Sequence, residues 1–147
     1  MARRAESGRH FSGAPWEPLV GYCRALRRGD QVFVSGTAPV DPGGGVHAPG
    51  DAYAQARRCL EIVSEALASL GAAPEDVVRT RMYVTDASRW QEVGRAHREF
   101  FGAHPPAATL VEVKALIDPA MLVEFEVDAV ASRPRRRTAQ GRRRKAR

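Results

Sequence analysis

The chain has 147 residues, 44% of them apolar, enough to close one ordinary hydrophobic core and too few for two comfortable domains. No uncharged apolar run approaches the ~20 residues that cross a bilayer, and the first ten residues lack the apolar stretch of a secretory signal, so a cytoplasmic protein with no membrane contact is expected. The net charge of +6 is unevenly held: residues 133–147 carry nine Arg and Lys and no acid, whereas residues 11–132 carry 11 bases and 16 acids, so an acidic globule of about −5 precedes a basic tail.

The polar residues 1–15 read as a flexible N-terminal segment. From Gly21 to Arg27 the chain alternates like a strand, Arg28-Gly29-Asp30 supplies turn chemistry, and Gln31 to Gly36 is a second strand, which together predict a β-hairpin. Residues 38–50 are dense in Pro and Gly and predict a mobile loop with little regular structure. Beyond Asp51, read as an N-cap, Ala56, Leu60, Val63, Leu67 and Leu70 recur at helical spacing until Gly71 stops the helix. The next strand, residues 77–84, places Val78, Thr80, Met82 and Val84 on one face and Arg79, Arg81 and Tyr83 on the other. Ser88-Arg89-Trp90-Gln91 fits a capping box, and Trp90, Val93, His97 and Phe100 or Phe101 share the stripe of a second helix that Gly102 ends. Residues 109–116 and 122–131 predict a closing hairpin with its turn at 117–120.

The order β-β-α-β-α-β-β predicts an α+β domain over residues 16–132, a mixed sheet with two helices on one face. The opposite face, with Arg79, Arg81 and Tyr83, is then uncovered and suits contact with a second subunit. Residues 133–147 hold no large apolar side chain and predict a disordered basic tail. Cys23 and Cys59, in a predicted strand and a predicted helix, make neither a disulfide framework nor a zinc site. His10, His47, His97 and His104 have no spacing that suits a metal or a nucleophile-base pair, and Gly43-Gly44-Gly45 lacks the lysine and helix of a phosphate loop. No cofactor is indicated.

Three blocks resemble the RidA (reactive intermediate imine deaminase) family: residues 21–36, ending in Val34-Ser35-Gly36; residues 78–86; and Pro106 to Val113 together with Val123-Glu124-Phe125-Glu126. They span about 110 residues in the family's order, and the intervening helix opens with a family-like Ala54-Gln55-Ala56. The resemblance implies a chorismate-mutase-like subunit, a homotrimer whose sheets form a central barrel, and small-molecule clefts at the subunit interfaces. It also implies hydrolysis of 2-imino acids to 2-oxo acids, with an arginine holding the substrate carboxylate and a glutamate assisting a water. Matched by position, the family's tyrosine is Tyr22, its serine before glycine is Ser35 with Gly36, and its glutamate is Glu124. The arginine position holds Ala108, and a family asparagine falls near Gly94. Alanine offers no donor to a carboxylate, whereas guanidinium offers a two-pronged charged one.

Glu124 stands as the candidate catalytic group, a strand carboxylate at an interface cleft, or, like Glu112 and Glu126, as a solvated or ion-paired carboxylate of an exposed strand face. Arg81 stands as a substitute anion anchor or as a structural ion-pair partner, and Thr109, beside Ala108, as a hydroxyl donor or a plain strand residue. The leading reading is a small-molecule-binding trimer with altered enamine or imine hydrolase activity. Ordinary 2-iminoacid deamination is the first alternative. The second is weak, salt-sensitive nucleic-acid binding through the arginine-rich tail at 133–147.

Overall fold

Asp51 caps the longest helix with its own side chain, accepting a hydrogen bond from the Ala54 amide at 2.9 Å, as the sequence predicts. The computed structural model describes residues 7–131, and its elements are Ser7–His10 (β1), Trp16–Val20 (α1), Ala25–Arg28 (β2), Gln31–Thr37 (β3), Ala52–Ser69 (α2), Val77–Val84 (β4), Trp90–Phe101 (α3), Ala107–Glu112 (β5) and Val123–Val130 (β6). Short 3-10 turns, Pro74–Asp76 and Ala87–Arg89, lead into β4 and α3. The six strands form one mixed sheet in the order β1-β2-β3-β6-β4-β5. Ala56, Cys59, Leu60, Val63 and Leu67 of α2 and Val93, Ala96 and Phe101 of α3 share one buried cluster with Val32, Val34, Met82, Val84, Val123, Phe125 and Val127. Both long helices therefore cover the same face of an α+β sheet.

The predicted β-β-α-β-α-β-β order is present, with two elements added ahead of it. Ser7–His10, within the segment read as flexible, pairs antiparallel with β2, and the short helix α1 precedes Gly21. Because Gly21 ends α1 with φ of 86°, a conformation that favours glycine, the first strand of the hairpin begins at Ala25 rather than Gly21. The hairpin itself pairs Arg28 with Gln31 across Gly29-Asp30.

Four local expectations are corrected. The last two strands do not form a hairpin: β5 runs parallel to β4 at the sheet edge, and β6 inserts antiparallel between β3 and β4. Burial explains the placement, since Val123, Phe125, Val127 and Ala129 alternate as buried residues while no residue of β5 is buried. Val78 is 47% exposed because the register slips between Val77 and Arg79, so Val77 takes the inward position. Trp90 is exposed rather than on the buried stripe, and the turn before α3 is capped by Asp86, whose carboxylate accepts from the Ser88 amide and hydroxyl. Finally, the Pro- and Gly-rich loop is tied: Val40 bridges Val46, His47 Nδ1 lies 2.7 Å from Asp41 Oδ1, and Arg58 Nε donates to the Val40 carbonyl at 2.8 Å.

No helix among the described residues is long and apolar enough to cross a membrane. The basic tail and its expected nucleic-acid binding lie outside the described residues.

Candidate functional site

Strand β3 is bulged at Ser35-Gly36: Val34 faces Val127 on β6, but Thr37 faces Phe125. The extra residue turns the Ser35-Gly36 backbone toward β6, where Glu124 leans against it. A Cβ on Gly36 would overlap the Glu124 carboxylate, so only glycine leaves room for that side chain here. Ser35 is held from the other side. Its hydroxyl donates to the Cys23 carbonyl at 2.7 Å and its amide to the Arg24 carbonyl at 2.9 Å.

Glu124 is half-buried. Burial pushes its pKa above the ordinary glutamate range, with Arg24 opposing that rise and Glu126 adding to it. A carboxyl with a raised pKa can hold a proton nearer neutral pH and exchange it with a bound molecule.

In the sequence Arg24 is only one residue of an alternating strand, yet it lies at the centre of this region. It is 6% exposed. Its Nη1 donates to the Gly36 carbonyl at 2.5 Å and to Thr37 Oγ1 at 2.9 Å, and Nη2 donates to the Tyr22 hydroxyl at 3.3 Å. The guanidinium also sits 5.5 Å from the centre of the Tyr22 ring. Behind it is Glu17, 2% exposed, whose Oε1 lies 4.0 Å from Arg24 Nε and accepts from the Ser12 amide at 3.0 Å and hydroxyl at 2.5 Å. A buried arginine needs a buried counter-charge, and the Glu17 found there was a signal available in the sequence only as one more surface-like acid of α1.

The remaining candidates lie on the other side of β6. Arg81 faces Glu126 across the β4–β6 pair and Thr109 across the β4–β5 pair. Its Nη1 donates to Glu126 Oε1 at 3.0 Å and to Asp128 Oδ2 at 3.1 Å, which is the structural ion-pair role. Tyr83 opposes Glu124 in register and its hydroxyl donates to Glu126 at 3.4 Å. Ala108 and Thr109 are exposed on the edge strand β5. Within one chain, Tyr22, Ser35, Gly36 and Glu124 are thus brought together, whereas Arg81 on β4 and Ala108 and Thr109 on β5 form a second group beyond β6.

Residues 12–131 match the family model described as Endoribonuclease L-PSP. An uncharacterized protein of Streptomyces coelicolor is 39% identical over 118 residues, 80% of this chain and 87% of the relative. A protein named 3-aminoacrylate deaminase RutC, from Acinetobacter baylyi, is 32% identical over 108 residues, 74% of this chain and 85% of its own. Among solved structures, Rv2704 of Mycobacterium tuberculosis, described as a member of the YjgF/YER057c/UK114 family, superposes with a TM-score of 0.78 at 44% identity, covering 86% of this chain and 100% of that one.

Proposed function

The chain belongs to the Endoribonuclease L-PSP family, the YjgF and RidA group, and on that premise we propose that it hydrolyses small enamines or imines at Glu124, with a specificity that does not depend on anchoring a carboxylate. The observation that carries this reading is the half-buried Glu124 carboxylate seated on the Gly36 bulge, its pKa raised by burial. In the reaction, Glu124 takes a proton from water as the oxygen adds to the carbon of C=N and passes that proton to the nitrogen, giving a carbinolamine. Glu124 then carries the carbinolamine hydroxyl proton to the amine as the C–N bond breaks, so that ammonia leaves and a carbonyl remains. The relative named as a 3-aminoacrylate deaminase supports hydrolysis of this general kind.

Altered specificity is supported by the state of the nearby cations. Ala108 offers no charge, Arg81 is engaged by Glu126 and Asp128, and Arg24 is engaged by Tyr22, Gly36 and Thr37. The division of the candidate residues into two groups on one chain supports a ligand cleft completed by a second copy, as in a homotrimer, with Glu124 contributed by one copy and the Ala108-Thr109 edge by its neighbour.

Coupled ammonia release from freshly generated 2-iminopropionate separates this from ordinary 2-iminoacid deamination. Wild type is expected to be slow and Ala108→Arg faster by roughly 30-fold or more, the rate equivalent of one charged contact of roughly 2 kcal/mol. Rapid turnover by wild type, lost in Arg81→Ala, would instead assign the carboxylate to Arg81 and favour ordinary deamination.

A further inference from the structure

We infer that Arg24 is a positioning residue of the Glu124 site, holding together the Tyr22 hydroxyl and the Ser35-Gly36 bulge on which that carboxylate rests, and adding a buried positive charge to its surroundings. The inference rests on the reading of Glu124 as the reacting group. Three of the residues that the family resemblance assigns to the cleft, Tyr22, Ser35 and Gly36, touch one guanidinium: Tyr22 through its hydroxyl and ring, Gly36 through its carbonyl at 2.5 Å, and Ser35 through its carbonyl at 3.5 Å. Thr37 continues the same set, accepting from Arg24 and donating to the Ser35 carbonyl at 2.8 Å. One planar fork therefore sets the shape of the bulge on which Glu124 rests.

The arrangement is a costly way to gain stability. A buried ion pair such as Arg24 with Glu17 often contributes no more than apolar residues of the same volume, because both charges lose their hydration. What the guanidinium adds, and an apolar side chain cannot, is simultaneous donation to a phenol, two carbonyls and a hydroxyl, together with a positive charge whose field reaches Glu124. The charged and titratable groups that act on Glu124 or feel it are Arg24 from the segment before β2, Glu126 on β6, Tyr83 on β4 and Cys59 on α2. Arg24 is the cation of that set, and its charge holds Glu124 lower than burial alone would leave it.

The test is a direct titration of Glu124 in the full-length protein, followed by carbon NMR of labelled glutamate carboxyls and assigned with Glu124→Gln. In Arg24→Gln the midpoint is expected to move upward, since the opposing charge is gone and the desolvation remains. Arg24→Lys, which keeps the charge and loses the fork, is expected to leave the midpoint nearer wild type while changing the signals of Tyr22. Because Arg24→Gln leaves Glu17 as a lone buried charge, the double variant Glu17→Gln with Arg24→Gln is measured beside it and is expected to fold and show the same upward shift. An unmoved or lowered midpoint in a folded variant would overturn the inference. So would failure of the double variant to fold, which would make the pair a requirement of the fold rather than of the site. No substrate enters this measurement, so absence of hydrolysis in wild type would defeat the functional reading alone, and an unmoved midpoint would defeat the role of Arg24 alone.

Discussion

The carboxylate of Glu124 occupies the space that a side chain at position 36 would need, so the bulge of β3 and the acid of β6 fit only while residue 36 is glycine. Gly36→Ala should therefore push Glu124 off the bulge. Because the displaced atoms are the far end of a flexible, half-exposed side chain, the expected cost in urea unfolding is about 1 kcal/mol or less, and the main effect is loss of most imine hydrolysis. Wild-type hydrolysis by the alanine variant would show that the seat of Glu124 on the bulge does not matter to the reaction.

Replacing the acid itself separates chemistry from folding. Glu124→Gln should reduce hydrolysis by about 10²- to 10⁴-fold, the range for removing a general acid-base group, with an unchanged circular dichroism spectrum. The same variant should change the pH dependence of stability. Burial raises the folded pKa of Glu124, so its contribution is complete below the unfolded value of about 4.3 and declines as pH rises through the folded value. The thermal midpoint of wild type should fall relative to Glu124→Gln across that rise, and parallel curves would contradict it.

His97 predicts a slope of the opposite sign. It packs against Phe101 and Phe125 and lies 2.8 Å from Thr80 Oγ1, and burial lowers its pKa. A lowered folded pKa means that stability is present above the unfolded value of about 6.5 and is lost as pH falls through the folded one. His97→Gln should flatten the acid side of the wild-type stability curve below about pH 6.5. If the acid limb is identical in both proteins, His97 does not titrate as described.

Gln55 ties α2 to the strand that carries Glu124. It is fully buried, donates to the Ala120 carbonyl at 2.9 Å and accepts from the Leu122 amide at 2.8 Å. Gln55→Leu leaves both backbone groups without that partner and should cost about 2–5 kcal/mol in urea unfolding. A loss below about 0.5 kcal/mol would mean that the backbone there finds other partners.

Much of the fold is legible in the residues, and the failures have local causes. The α2 stripe and the Asp51 cap follow from periodicity and side-chain chemistry acting within one turn. The outward face of Arg79, Arg81 and Tyr83 follows from strand alternation, but the bulge at Val77–Arg79 defeats it one residue earlier, because a register slip is decided by pairing with β6. Residues 109–131 look like a hairpin because their spacing is short, and only the burial of β6 on its inward side moves it to the sheet interior. Within the candidate site, Tyr22, Ser35, Gly36 and Glu124 were legible through resemblance. Arg24 was not, since an arginine in an alternating strand reads as solvent-facing until its counter-charge, seven residues earlier on α1, folds beneath it.

The most direct measurement is ammonia release from a freshly generated imine that carries no carboxylate, such as that formed by oxidising a simple primary amine, with wild type and Glu124→Gln side by side. The proposed function predicts release well above the uncatalysed background with wild type and a return to near background with Glu124→Gln. Equal rates in the two proteins, or no acceleration by wild type of any such imine, would contradict it.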